Sequence, residues 1–561
     1  MCGIIACKIL NENYEINRKK IMDLTGRLNH RGPDFINIHI EKSFWMGHTR
    51  LSIVDPVNGN QPLINKEKDA FLIVNGEIYN HLELRKELEI NSNDFSTLSD
   101  SEIIIHGYKK INNAICDKLI GMFSFVLSNN NGDFLVCRDK IGIKPLYMGK
   151  SKDGNSILFS SELKGIVDQC EPEDLQLFPA GHYWTIETGL KKYYKPEWDT
   201  LNYSLKLKNF STIEECKIAL ENAVIKRCMA DVEIGLLLSG GLDSSIIGAI
   251  MSKPNVRKYL KATKGKIKSF AVGQEGSPDI LAARIVSKQL DTEHIEAIFT
   301  PEMAFEELDN IIYYAETYEP ELIRSCIPNY FLAKKASQYV KVVLTGEGSD
   351  ELWSGYLYFN DCKNSEQLQE ENRRILKAVE FVNLQRADRM TMAFSLEARV
   401  PFFDVDNIAV AMKFDPQKKL IFKNNKANTE QYCEKYILRE MYKDMVSPDI
   451  LWRTKAMQCE GVGMTWVQTL QNYISNNLVT DDEFTNVHNL FPNNTPKTKE
   501  EYYYRKIFDK YYPNCDKFVH VWDKGCRAAG ASWKSNEYTR EGLCDINKLK
   551  RGHSDSDLIS I

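Results

Sequence analysis

The sequence predicts an α+β domain followed by an α/β domain built on a parallel sheet. Three observations lead there. Short strand patterns crowd the first half, with turn signals and helical stretches between them. In the second half a buried-strand run, Ile234-Gly235-Leu236-Leu237-Leu238, leads straight into a glycine-rich loop and a helix. Two later apolar runs also end in polar loops before helices, the order that puts a site at the carboxyl ends of parallel strands.

In the first half, Phe71-Leu72-Ile73-Val74 is an apolar run followed by Asn75-Gly76, a turn signal that should stop it. Phe123 to Leu127 alternates loosely and meets Asn129-Asn130-Asn131-Gly132-Asp133, a hairpin turn, with Phe134 to Cys137 returning. Helices are expected over His81 to Leu88 and Ser101 to Lys110. Sheets between helices fit this order.

The chain begins Met1-Cys2-Gly3-Ile4-Ile5. Removal of Met1 would leave Cys2 with a thiol and a free α-amine on one carbon. Their reference pKa values, about 8.5 and about 7.7–8.0, let the amine take the thiol proton near neutral pH. A nucleophile carrying its own base is suited to acyl transfer. On this motif alone an ordinary strand residue remains the alternative.

In the second half a helix is expected from Thr212 to Met229. The loop after Leu238 reads Ser239-Gly240-Gly241-Leu242-Asp243-Ser244-Ser245. Strand, glycine loop, helix turns backbone N–H groups toward an anion. No lysine follows in the Walker A position, so this is not that loop. Ser269 to Val272 ends in Gly273 before a helix start at Ser277-Pro278-Asp279, and Lys341 to Leu344 ends in Thr345-Gly346-Glu347-Gly348-Ser349-Asp350.

Composition bounds the class. A length of 561 residues leaves room for about two to four domains. A net charge of −5 argues against a nucleic-acid binder or a polybasic membrane anchor. No apolar run approaches the ~18 residues of a membrane span, and no basic segment precedes Ile4-Ile5 as in a secretory signal. The 14 cysteines are scattered without a C-x-x-C pair, which reads as reduced thiols in a cytoplasmic enzyme. The oligomeric state stays open, a homodimer among the alternatives.

Behind Cys2 stand His30-Arg31-Gly32-Pro33-Asp34, Gly47 to Asp55, Asn75-Gly76-Glu77, Ser99-Asp100-Ser101-Glu102 and Arg138 to Leu146. In this order they resemble the glutaminase domain of class II glutamine amidotransferases, N-terminal nucleophile hydrolases with an αββα sandwich. The resemblance implies that Arg50 clamps the glutamine α-carboxylate, that Asp100 accepts from its ammonium, and that Glu77 and the backbone of Leu51, Ser52, Ile53 and Val54 complete the pocket. Asn75 and the Gly76 N–H would form the oxyanion hole, while Arg31 and Asp34 would support the loops.

The loop Ser239 to Ser245 resembles the pyrophosphate loop of ATP pyrophosphatases. With Arg386-Ala387-Asp388-Arg389, Glu397 to Asp404, Ile450 to Lys455 and Asn494 to Glu500, the resemblance narrows to glutamine-hydrolysing asparagine synthetases of eukaryotic type. It implies a glutaminase domain over 2–200 and a synthetase domain over 210–525; the remaining 526–561, polar and charged, reads as a poorly ordered tail. The substrates would be glutamine, aspartate and ATP, with Mg²⁺ held by Asp243 and Asp350. Leu237, Val272, Thr345 and Gly346 would line the nucleotide site beside Ser239, Gly240, Gly241, Ser244 and Ser245. Glu347 would act as general base toward ammonia, and Lys455 would neutralise phosphate charge.

The chain departs from that family where Glu321-Leu322-Ile323-Arg324-Ser325-Cys326 replaces a Thr-Thr-x-Arg-Ala-Ser segment, where Ala456 follows Lys455, at Asn383 in place of an acid, and at Thr345 in place of serine. Two placements stay open: Glu321 points into the aspartate site, or it pairs with a neighbouring cation in a displaced loop, which Pro320 makes plausible by fixing the backbone just before it. Two other functions compete: an amidotransferase acting on another carboxylate, and a non-catalytic scaffold with this fold. The scaffold predicts losses among Cys2, Asp243, Glu347, Asp350 and Lys455, and all five stand.

Overall fold

The computed structural model describes residues 2–519 apart from 12–13, 357, 360–361, 421–422, 425–430, 433, 454–461 and 463–465. The first half folds as two stacked six-stranded antiparallel sheets. One runs in the order Gln176–Leu177, Tyr147–Lys150, Ser156–Ser160, Cys2–Ile9, Phe44–Arg50, Phe35–Ile40. The other runs Gly189–Lys192, His182–Thr185, Phe134–Arg138, Gly121–Asn129, Ala70–Ile78, Leu63–Ile64. Alternation along the strands decides the layers. Ile4, Ala6, Phe44 and Met46 of the first sheet meet Phe71, Ile73, Val126 and Val136 of the second in a dry core. The opposite faces carry helices. Ile5 and Cys7 pack on Ile21 and Leu24 of the helix Arg18–Gly26, and Leu72, Val74 and Phe125 pack on Ile103 and Ile104. This is the αββα sandwich.

The hairpin at 129–133 forms as expected, with Ser128 opposite Phe134. The turn expected at Asn75-Gly76 does not. The strand Ala70–Ile78 continues through both residues, with Asn75 opposite Ser124 and Gly76 opposite Phe123. Gly76 has φ +139°, and a Cβ there would lie 1.9 Å from the Met122 carbonyl oxygen. Glycine serves close strand approach here, not reversal.

The second half carries a five-stranded parallel sheet in the order Glu293–Ile298, Lys268–Gly273, Ile234–Leu237, Val342–Leu344, Glu397–Arg399. The chain winds one way from Ile234–Leu237 and then restarts on its other side. Ligands of such sheets bind at that switch point, beyond the carboxyl ends of the central strands. The helix Ile213–Lys226 before the sheet is closed by a capping box between Thr212 and Glu215. Two strands escaped the sequence: Glu293–Ile298 reads as polar, and Glu397–Arg399 is three residues with two charges.

An apolar cluster joins the halves. Leu51, Ile53, Tyr79, Met122 and Ile143 pack with Leu236, Leu238, Leu344, Val400 and Phe402. Among the described residues no helix is long and apolar enough to cross a membrane. Lys455, Ala456 and the tail at 526–561 lie outside the described residues.

Candidate active sites

Cys2 heads a central strand opposite Arg50 and is 6% exposed. Its N–H donates to Asn75 Oδ1 at 3.1 Å. Burial pushes the thiol above its ordinary range, against the opposing pull of the Leu51 N–H and the Arg50 charge. Asn75 is fully buried, and its Nδ2 has no hydrogen-bond partner. A buried, unused donor costs about 1–3 kcal/mol unless something fills it, so this amide points to a ligand oxygen. Glu77 and Asp100 are buried as well. Burial raises both carboxyls, Asp100 to about 6, and Glu77 rises further beside Glu397 and Asp100. Glu77 Oε2 is also unpartnered, while Asp100 accepts the Ile78 N–H at 2.5 Å.

Arg50 is placed differently from a free clamp. Its Nη1 donates to Pro56 O and Asn60 Oδ1 at 3.2 and 2.7 Å, and its Nη2 to Val54 O and Asp55 O at 3.1 and 2.6 Å. The guanidinium shapes the 51–60 loop, and a carboxylate docking on Nη1 or Nη2 has to displace one of these oxygens.

Arg31 and Asp34 do support the loops, and each also reaches the second half. Arg31 Nε donates to the Cys2 carbonyl at 3.0 Å, and its Nη1 reaches Glu162 and Asp388 at 2.5 and 2.8 Å. Asp34 accepts from Ser52 N and from Lys341 Nζ at 2.8 and 2.6 Å. From the other side, Arg399 approaches Glu77 at 3.3 Å. Cys2 and its surroundings are thus held partly by residues of the parallel-sheet half.

At the switch point of the parallel sheet lies a cavity of about 290 Å³. Leu237, Ser239, Gly241, Asp243, Ser244, Val272, Thr345, Gly346, Glu347 and Asp350 line it. Gly240 and Ser245 stand behind them. Gly240 has φ +71°, with room for no Cβ against Ala282 and Ala283 at 2.4 Å, and Ser245 Oγ donates to Gly241 O at 2.8 Å. Gly346 lets its loop touch the first one, since a Cβ there would meet Asp243 Cβ and Ser244 N at 2.8 Å. Glu347 accepts from Arg386 Nη2 at 2.5 Å and from Asn383 Nδ2 at 3.2 Å. Its N–H donates to Thr345 Oγ1 at 3.0 Å, so the threonine hydroxyl holds the turn.

Lys435 went unnoticed in the sequence. Its ammonium binds Asp243 Oδ2 at 2.6 Å and Asp350 Oδ1 at 2.7 Å. Burial opposes its charge, but the two carboxylates prevail and hold its pKa above the ordinary value.

Comparison with known proteins adds to this geometry. Residues 1–191 match the family model of a glutamine amidotransferase domain, and residues 215–379 and 361–539 match that of asparagine synthase. The chain is 41% identical over 526 residues to the asparagine synthetase (glutamine-hydrolyzing) 1 of Lotus japonicus, covering 91% of this chain and 86% of that one. This chain belongs to the glutamine-hydrolysing asparagine synthetase family. The Arabidopsis thaliana asparagine synthetase 1 is 40% identical over 526 residues, covering 91% and 87% of the two chains. The Oryza sativa asparagine synthetase 2 is 41% identical over 521 residues, covering 91% and 86%.

The departures from asparagine synthetases can now be placed. Residues 321–326 are not a displaced loop. Pro320 is the first residue of the helix Pro320–Ala336, capped by Glu319, the position where proline's missing N–H costs nothing. Glu321, Leu322 and Ser325 line the cavity. Arg324 turns away and pairs with Glu500 through two bonds of 2.8 and 2.5 Å. Asn383 spares Glu347 the repulsion that an acid would bring.

Proposed function

We propose that this chain makes asparagine from aspartate, ATP and glutamine, releasing glutamate, AMP and pyrophosphate. One observation carries the reading. A buried cysteine beside an unused amide donor and a phosphate-type loop flanked by two carboxylates occur in one molecule, joined by an apolar cluster.

The proposed first reaction is at Cys2. Because burial raises the thiol, it rests protonated at neutral pH and needs a local base. With Met1 removed, the Cys2 amine would take the proton as sulfur attacks the glutamine amide, and return it to the leaving ammonia. Asn75 Nδ2 and the Gly76 N–H would stabilise the oxyanion. Leu51 to Val54, Glu77 and Asp100 would hold the amino-acid end. Here a raised Asp100 fits an acceptor whose charge is settled by an arriving ammonium.

Aspartate and ATP would meet in the second cavity to give β-aspartyl-AMP. The N–H groups around Ser239–Ser245 would cradle pyrophosphate, with Lys455 neutralising it. Ammonia would travel along the apolar cluster, and Glu347, oriented by Arg386, would accept its proton. Asp243 and Asp350 offer hard oxygens suited to Mg²⁺, and Asp243 Oδ1 is buried without a partner. Among the described residues no set of three or more potential metal-ligating acids, histidines or cysteines clusters. The ion would therefore draw further ligands from phosphate and water, as Mg²⁺ commonly does. Bound Mg²⁺ supplies charge neutralisation for the departing pyrophosphate.

We place the glutaminase at 2–200, the synthetase at 210–525 and the protein in the cytoplasm. All ten cysteines among the described residues are free thiols, which supports a reducing compartment. The test is Cys2→Ala. It should abolish glutamine-dependent synthesis and keep synthesis from ammonium, whereas loss of both in a folded variant contradicts the division of labour.

A further inference from the structure

Lys435 sits where an ion bridging Asp243 and Asp350 would have to sit. It is 3% exposed, on a left-handed turn with φ +56°, just before the helix Tyr436–Tyr442. Its ammonium spans the two carboxylates at 2.6 and 2.7 Å. These carboxylates come from the first turns of two different helices, Leu242–Ser252 and Ser349–Trp353, one after each central strand. The seat is shaped around the amine. A Cβ on Gly355 would stand 2.0 Å from both Lys435 Cε and Asp350 Oδ1, so a side chain there would push the ammonium or the carboxylate aside.

Magnesium binds carboxylate oxygen at about 2.0–2.1 Å. An ion at that distance from both acids would overlap the ammonium or face its charge directly. The two cations exclude each other. Yet lysine carries its charge on a flexible four-carbon stem, and the cavity beside it is the proposed phosphate space.

We propose that Lys435 is the resident counter-ion of the metal seat: it neutralises Asp243 and Asp350 in the free enzyme and yields them to a divalent cation arriving with nucleotide. The displaced ammonium turns to phosphate. This keeps the carboxylates paired between turnovers and makes metal binding depend on nucleotide. The proposal rests on the assignment of Mg²⁺ to these acids.

The test is Mn²⁺ binding, read as loss of the free-ion EPR signal, without nucleotide. Lys435→Met and Lys435→Gln should bind Mn²⁺ at least tenfold tighter than wild type, and Asp350→Asn added to either should erase the gain. Mn²⁺ should also raise the melting temperature of each single variant and leave that of nucleotide-free wild type unchanged. This second readout covers a variant that folds poorly, since the metal should rescue it. If wild type binds Mn²⁺ with ATP but neither variant gains affinity or heat stability, the counter-ion proposal is overturned. If wild type with ATP binds no Mn²⁺ and neither variant does, the metal assignment itself fails, and the proposal with it.

Discussion

Asn75 gives the sharpest prediction about the glutaminase. Its side chain does two things at once. Oδ1 accepts the Cys2 N–H at 3.1 Å, and Nδ2 is left without a partner. Asn75→Ala removes both, while Asn75→Asp keeps an acceptor for Cys2 and removes only the donor. If Nδ2 serves the oxyanion, losing it costs about 100- to 1,000-fold in kcat, or ~2.7–4 kcal/mol. The lost Cys2 contact adds about 1 kcal/mol, some of it as stability. Asn75→Asp should therefore be at least as slow as Asn75→Ala, because a carboxylate would also repel the developing negative charge. The assay is glutamate release from glutamine, run beside asparagine formation from ammonium, which should remain near wild type in both variants. A glutaminase rate within threefold of wild type in Asn75→Asp would refute the oxyanion role, and an equal fall in both activities would mean a folding defect instead.

Other outcomes follow from the same geometry. An uncleaved extension ahead of Cys2 should match Cys2→Ala in steady-state assays, since it removes the free amine; retained glutaminase activity would exclude the amine as base. Glu321 lines the cavity of the parallel-sheet half; if aspartate binds there, a substrate carboxylate about 8 Å from it would be repelled by about 2 kcal/mol at an effective dielectric near 20. Glu321→Thr should thus lower the KM for aspartate about tenfold or more with ammonium saturating; a raised KM would assign Glu321 to the substrate ammonium. Leu322 is left intact in that test because it is buried in the core. Glu319 is pushed up to about 8 by burial and by Glu321, from an ordinary 4.5. The fold holds its proton where the unfolded chain releases it, so its stability contribution falls as pH rises from about 4.5 to about 8. Glu319→Gln should lose less melting temperature between pH 5.5 and 8 than wild type; an unchanged slope would contradict the assignment.

Much of this was legible in the chain because the chemistry is local. Cys2 at the start, Asn75-Gly76-Glu77 in one strand and Ser239 to Ser245 after a buried strand each sit within a few residues. The strand through Asn75-Gly76 was misread because Asn-Gly is a turn signal only when nothing crosses it; here Met122 does. Lys435 was missed because its role depends on two acids that stand 192 and 85 residues away. The linkage of Arg31 to Asp388 spans 357 residues, and only tertiary packing creates it. The helix at 320–336 was hidden by reading Pro320 as a displaced loop instead of as a first-turn proline.

The most direct measurement supplies purified enzyme with ATP, Mg²⁺, aspartate and glutamine labelled with ¹⁵N in its amide, and follows all products together. The account predicts ¹⁵N-asparagine, glutamate, AMP and pyrophosphate appearing in equal amounts once glutamine hydrolysis is coupled to synthesis. ADP and phosphate in place of AMP and pyrophosphate, or labelled ammonia and glutamate with no asparagine, would contradict it.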